Sequence, residues 1–101
     1  MGISEELKRV ADYYGYEEQS NQLIEECAEL IQALNKYRRS GGKGQKTDIR
    51  TDLAFFNIVE EVADVEVMLE QIKYLLKISE DDILAVKQLK AVRQRNRMQG
   101  E

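Results

Sequence analysis

The chain has 101 residues, of which 43% are hydrophobic and 34% are charged. This length suits one domain, residues 1–101, and a net charge of −4 argues against a protein that coats DNA or RNA. No apolar run approaches the roughly 20 residues that cross a bilayer, and the single cysteine, Cys27, cannot form an internal disulfide. We therefore expect a cytoplasmic protein that binds neither membranes nor nucleic-acid polymers.

The chain contains no histidine. This absence excludes a His-based catalytic triad, an imidazole metal ligand and an imidazole acid–base catalyst. Any chemistry must be carried by carboxylates, Lys and Arg side chains, amides and hydroxyls. The lack of proline and the small number of glycines are typical of a chain that is mostly helical.

Apolar periodicity and helix end signals predict four α-helices. The first lies between Ser4, an N-cap residue, and Gly15, a helix stop. The second spans about 17–39 and is followed by a glycine-rich loop. The third spans about 52–77, and the fourth runs from the capping residue Ser79 to about residue 98.

The third helix is unusually long for a chain of this size. At 1.5 Å per residue it measures roughly 40 Å, which exceeds the usual width of a 100-residue globule. We expect a second chain to cover part of it. The predicted fold is therefore all-α, an antiparallel bundle of about four helices that is completed by oligomerisation as a homodimer or homotetramer.

An eight-residue pattern occurs twice in the chain. Residues 23–30 and 58–65 both read apolar-apolar-Glu-Glu-apolar-Ala-acid-apolar, and an amide precedes the second Glu of each copy by four residues. The last two acids of each copy lie three residues apart, so they project from one side of their helix. Each pair lies roughly 85° to the same side of the apolar stripe, at the border of the core. The two pairs are Glu26 with Glu29, and Glu61 with Asp64.

A short loop at about 40–51 makes the second and third helices antiparallel neighbours. Both acidic pairs then lie at the same height, roughly 15 Å from the turn, and face one another. Two unit charges about 5 Å apart repel by about 3 kcal/mol at an effective dielectric constant of 20. Either some of the four acids are therefore protonated, or cations lie between them. Oxygen ligands without His or thiolate suit Mg²⁺ or Mn²⁺, so the second case predicts a site for these ions.

The alternative for these acids is an ordinary solvated surface. A single Glu-x-x-Glu pair on a helix is usually structural. Two pairs with matched offset, matched height and similar flanks favour a metal site instead. The Glu-x-x-His motif of di-iron bundles does not occur here.

At these residues the chain resembles the all-α nucleoside triphosphate pyrophosphohydrolases of the MazG-like group. Their mark is Glu-Glu-x-x-Glu on one helix and Glu-x-x-Asp on the next, and the resemblance covers about residues 17–77. It implies hydrolysis of a nucleotide between the α- and β-phosphates, giving a monophosphate and pyrophosphate, in house-cleaning or nucleotide-pool control. It also implies that Glu25 is the general base. The Mg²⁺ ligands that it implies are Glu26, Glu29, Glu61 and Asp64.

Basic residues of the fourth helix are candidates for binding the triphosphate. Lys87, Lys90 and Arg93 lie on one flank of this helix, and the family often has Lys or Arg in this region. The alternative is a solvated basic face near a helix C-terminus, where cations are favourable in any case.

Two other functions stay open at this stage. Phosphoribosyl-ATP pyrophosphohydrolases share the acidic pattern, so the reaction type is better defined than the nucleotide. A non-catalytic helical interaction module would use the apolar stripes to bind a partner and the acids for solubility.

Overall fold

A computed structural model describes residues 2–42 and 50–100. It contains α1 (Ile3–Tyr37), a π-helical turn (Arg38–Gly42), α2 (Thr51–Leu76) and α3 (Glu80–Met98). All regular structure in these two ranges is helical, which confirms the all-α prediction. Most of the predicted glycine-rich loop, residues 43–49, lies outside the described residues.

The first two predicted helices follow one another as α1, with a break in the helical backbone at Gly15, so the described ranges hold three helical elements where about four helices were expected. The kink lies at Gly15, whose φ of 84° and ψ of 172° are far from helical values. A positive φ suits glycine because it lacks a Cβ. Gly15 therefore interrupts the helical backbone, as predicted, and helical structure resumes directly after it.

The junction between α2 and α3 lies where the sequence predicted it. Lys77 adopts the left-handed conformation that ends α2, with φ 58° and ψ 41°. The Ser79 side chain accepts hydrogen bonds from the backbone N–H groups of Asp81 and Asp82, at 3.1 and 3.3 Å. Ser79 is thus the N-cap of α3, as predicted from its residue type.

Helices α1 and α2 pack along each other as an antiparallel pair, which we call the hairpin. At one end Thr51 Oγ1 donates to the backbone oxygen of Ser40, and at the other Ser4 Oγ donates to Glu70 Oε1. One line of residues along this contact recurs every seven positions, as in coiled coils. This contact line consists of Gln19, Glu26 and Ala33 on α1 and Ala54, Glu61 and Met68 on α2.

The hairpin has a small core. The buried hydrophobic residues among those described are Ala11, Ala33, Ala54 and Met68, and no large side chain is fully buried. Large apolar side chains lie beside the contact line, half-buried or exposed. A single chain therefore buries little apolar surface.

Helix α3 extends away from the hairpin. No described residue of α3 is buried, and over the described ranges α3 packs against neither α1 nor α2. An ion pair between Lys73 Nζ and Glu80 Oε1, 2.8 Å long, joins the end of α2 to the start of α3. The radius of gyration is 17.1 Å, against about 13 Å for a compact chain of this length.

None of the described helices combines the length and the apolar character that a transmembrane span requires.

Candidate metal centre

The four predicted acids meet midway along the hairpin. One carboxylate oxygen each from Glu26, Glu29 and Glu61 lies within 4.8 Å of the others. The fourth acid, Asp64, lies close enough to the Glu26 carboxyl group to raise its pKa. We call these four residues the acidic cluster. The antiparallel geometry brings them together as predicted, whereas their role as metal ligands stays a prediction.

Glu26 is the most enclosed member of the acidic cluster. It lies on the contact line between the helices, and only 9% of its surface is exposed. The Gln22 side-chain amide donates a hydrogen bond to Glu26 Oε1 at 3.3 Å. Gln22 precedes Glu26 by four residues, which is about one helical turn. It is the amide that the repeated sequence pattern places before the second Glu. Glu26 therefore does not lie on a solvated helix face.

The surroundings of Glu26 raise its pKa to about 7. The main cause is burial, which disfavours the charged form. The hydrogen bond with Asp64 raises the pKa further, as do the negative charges of Asp64, Glu29 and Glu61. Without a cation, these surroundings favour the protonated form of Glu26 more than solvent does for an exposed glutamate.

Glu61 shows the same electrostatic conflict on α2. Its pKa is raised first by burial, then by the negative charges of Glu29 and Asp64 and by a hydrogen bond with Glu29. Its Oε2 atom is buried and has no hydrogen-bond partner among the described residues. A buried oxygen without a donor carries an unfavourable desolvation cost, which a bound cation removes.

The donor set fits a hard divalent cation. All four side chains offer carboxylate oxygens, the ligands that Mg²⁺ and Mn²⁺ prefer, and one buried oxygen lacks a partner. The residues that would hold the ion are Glu26, Glu29, Glu61 and Asp64.

Glu25, the predicted general base, is an exposed residue of α1. It adjoins Glu26 in sequence but lies about 100° around the helix from it, and it is not one of the three acids that converge. Its catalytic role stays a prediction.

The predicted phosphate-binding residues, Lys87, Lys90 and Arg93, are exposed on α3. Because α3 does not pack against the hairpin in the described part of the chain, one chain does not bring them onto the acidic cluster. Their role in binding phosphate stays a prediction.

One buried polar contact between α1 and α2 had not been predicted. Gln19 Nε2 donates a hydrogen bond to Gln71 Oε1 at 2.7 Å, and both residues are buried. Gln19 lies seven residues before Glu26, so the heptad spacing of the contact line is the signal that identifies it. This bond gives each of two buried amides a partner and ties α1 to α2 about two helical turns from Glu26.

Comparison with known proteins gives no match to a family model, to a curated protein or to a solved structure. The resemblance to the MazG-like hydrolases stays an expectation that rests on the order and spacing of the acidic motifs. Function has to be inferred from the acidic cluster itself.

Proposed function

We propose that the chain is a Mg²⁺-dependent nucleotide pyrophosphohydrolase. It would cleave a nucleoside triphosphate between the α- and β-phosphates to give a monophosphate and pyrophosphate. The observation that carries this proposal is the acidic cluster, in which Glu26 is buried and the Oε2 atom of Glu61 lacks a partner. Mn²⁺ prefers the same oxygen ligands and is the expected substitute.

The acidic cluster would hold the divalent ion between α1 and α2. The chemistry that such an ion supplies when bound is positive charge for the phosphate oxygens and activation of water. Glu26 and Glu61 lie on the packed contact line, which restricts their side chains, whereas Glu29 is exposed at the edge of the hairpin. The cluster can therefore keep a defined shape and still reach a nucleotide in solvent.

Two further roles complete the proposal. Glu25, an exposed carboxylate next to Glu26, would accept a proton from the attacking water. The α3 residues Lys87, Lys90 and Arg93 would bind the triphosphate. Because α3 does not pack against its own hairpin, these residues would act on the acidic cluster of another chain in a homodimer or homotetramer.

Pyrophosphate release tests the reaction. We expect the protein with Mg²⁺ to release pyrophosphate from at least one member of a panel of canonical nucleotides, damaged nucleotides and phosphoribosyl-ATP. Glu29→Gln and Asp64→Asn should abolish release because each removes a charged ligand. Glu66→Gln is the matched control, since Glu66 is also an exposed acid of α2 but lies outside the acidic cluster. No release from the whole panel with either Mg²⁺ or Mn²⁺ would contradict the proposal.

Calorimetry separates this enzyme from a non-catalytic interaction module. The enzyme should bind Mg²⁺ or Mn²⁺ saturably, and Glu29→Gln should weaken that binding. A module should show no saturable binding, and neutralising all four acids should leave its stability equal or higher, because the buried repulsion disappears.

A further inference from the structure

Glu26 presents its carboxyl group to the acidic cluster from a buried position on the contact line. The last torsion angle of a glutamate side chain has no narrow minimum, so packing of the stem alone does not fix the plane of the carboxyl group. Mg²⁺ requires near-ideal octahedral geometry, and a rotating carboxyl group meets that requirement only part of the time. A contact that fixes the orientation of the carboxyl group therefore favours binding of the ion.

Gln22 makes such a contact with Glu26. Its side-chain Nε2 donates a hydrogen bond to Glu26 Oε1 at 3.3 Å. At about 100° per residue, Gln22 lies roughly 40° around α1 from Glu26 and roughly 20° from Glu29. The three residues share one side of α1, so the Gln22 amide borders the acidic cluster. Because its bond occupies Oε1, the position of Gln22 sets the plane of the Glu26 carboxyl group.

The second copy of the repeated pattern does not hold its glutamate in the same way. Asn57 precedes Glu61 by four residues, as Gln22 precedes Glu26, and it is half-buried on α2. Its side chain is one methylene group shorter than that of glutamine. Glu61 Oε2 has no hydrogen-bond partner among the described residues. Within the described ranges, only the longer of the two amides forms a hydrogen bond with its glutamate.

Gln22 is a neutral donor, and this property suits a cation site. A glutamine amide donates a hydrogen bond without carrying a charge. Lysine or arginine at the same position would place a positive charge against Glu26 and compete with a divalent ion. Gln22 thus orients Glu26 without cancelling the negative charge that attracts the ion.

We propose that Gln22 is a positioning residue of the candidate metal centre, whose amide holds the Glu26 carboxyl group in the orientation that binds the divalent ion. This inference rests on the metal site of the proposed function, and it does not depend on which nucleotide is cleaved. Residues that form hydrogen bonds with a metal ligand orient that ligand, and their substitution typically weakens metal binding about 10–100-fold. Gln22 has this role toward Glu26.

The competing interpretation is an ordinary contact along one helix. Side chains four residues apart on a helix often form hydrogen bonds that stabilise the helix slightly. Loss of such a contact lowers helical stability but leaves the affinity for a metal ion unchanged. Measurements of metal binding and of thermal stability therefore separate the two interpretations.

Calorimetric titration of the nucleotide-free protein with Mn²⁺ measures the affinity. Gln22→Met keeps a long, unbranched side chain of similar helix propensity but removes the donor. Gln22→Asn keeps an amide but gives it the length of Asn57. We expect both variants to raise the Kd for Mn²⁺ about 10–100-fold. Gln88→Met is the matched control, since Gln88 is an exposed residue of α3, and its Kd should equal that of wild type.

The electron paramagnetic resonance spectrum of bound Mn²⁺ adds a readout that helix stability does not change. We expect the spectrum of Gln22→Met to differ from that of wild type, because a rotated Glu26 carboxyl group changes the arrangement of ligands around the ion. The spectrum of Gln88→Met should match wild type. Circular dichroism with a chelator present should show the wild-type helical signal in each variant. If Gln22→Met lacks that signal, Gln22→Asn carries the test, because it keeps an amide at this position.

Equal Mn²⁺ affinities and spectra in wild type and both Gln22 variants would overturn this proposal alone, since the metal centre would still bind its ion. A loss of affinity that occurs only together with a loss of helical signal also overturns it, because Gln22 would then act on the fold. If wild type does not bind Mn²⁺ saturably, both the proposal and the metal centre on which it rests are wrong. Saturable binding that weakens in both Gln22 variants supports the proposal even if no nucleotide of the panel is hydrolysed.

Discussion

Glu26 occupies a place where packed helices usually carry a small apolar side chain. Ala33 lies seven residues further along the same contact line, and Ala54 and Met68 lie opposite on α2. A carboxylate here costs stability because burial and neighbouring acids both oppose its charge. Such a cost at one position is typical of a functional site.

The raised pKa of Glu26 predicts how stability depends on pH. Its folded-state pKa of about 7 exceeds the ordinary value of 4.5, so the folded protein binds this proton more tightly than the unfolded chain does. In metal-free buffer the contribution of Glu26 to stability should therefore fall as pH rises from about 4.5 to about 7 and stay constant above that range.

Thermal unfolding with a chelator present checks this prediction. Glu26→Gln should raise the Tm by several degrees at pH 8 and change it little near pH 4.5, because the substitution removes the charge but keeps the shape. Glu25→Gln is the control, since Glu25 is an exposed neighbour on the same helix. If Glu26→Gln and wild type lose stability equally as pH rises, Glu26 is not the group that titrates.

At the scale of the elements, the kink in α1 depends on Gly15. Its φ of 84° and ψ of 172° lie in a region that is almost confined to glycine. Open space surrounds the position of a Cβ, so any cost of a side chain comes from the backbone and not from a clash. The kink sets the direction of residues 3–14. One of them, Asp12, accepts a hydrogen bond from the Tyr74 hydroxyl at 2.8 Å.

Gly15→Ala should destabilise the protein by about 1–3 kcal/mol, because alanine disfavours this backbone conformation. Chemical denaturation at a fixed protein concentration measures the change. Gly100→Ala is the control, because Gly100 also has a positive φ, of 89°, but lies near the chain end, where the backbone can adjust. If Gly15→Ala leaves the free energy of unfolding unchanged, α1 can continue through residue 15 as a straight helix without loss of stability.

At the scale of the whole molecule, charge is divided between elements. Helix α1 carries eight acidic and three basic residues, whereas residues 83–98 carry five basic residues and no acidic one. Since α3 extends from the hairpin, this basic segment is available to another chain. In the proposed reaction, acidic residues of one chain would therefore act together with basic residues of another.

Mixing two inactive proteins tests this division of labour. Glu29→Gln lacks a metal ligand, and a triple variant of Lys87, Lys90 and Arg93 to Gln lacks the phosphate-binding cations. Refolding them together should restore part of the pyrophosphate release, because a hybrid assembly contains one complete site. Arg95→Gln, a change elsewhere on α3, should leave release close to wild type. If the mixture stays inactive although each protein folds, α3 does not act between chains.

Several features of the fold follow from residues that are close in sequence. Helix periodicity, the Ser79 cap and the stop signal at Gly15 depend on neighbours within a few turns, so sequence patterns predict them. The same holds for the side shared by Glu26 and Glu29, because their spacing alone sets it. One short connection then suffices to predict that the acids of α1 and α2 meet.

Other features depend on contacts between distant residues. The packing of α1 against α2 decides whether Gly15 separates two helices or bends one, and how deeply Glu26 is buried. It also decides which side-chain amide forms a hydrogen bond with Gln71. The detachment of α3 likewise has no local signal, since its residues favour a helix whether or not it packs. Helix formation and side-chain direction are thus determined locally, whereas burial, pKa and helix placement require the tertiary structure, because desolvation and packing act between residues far apart in the chain.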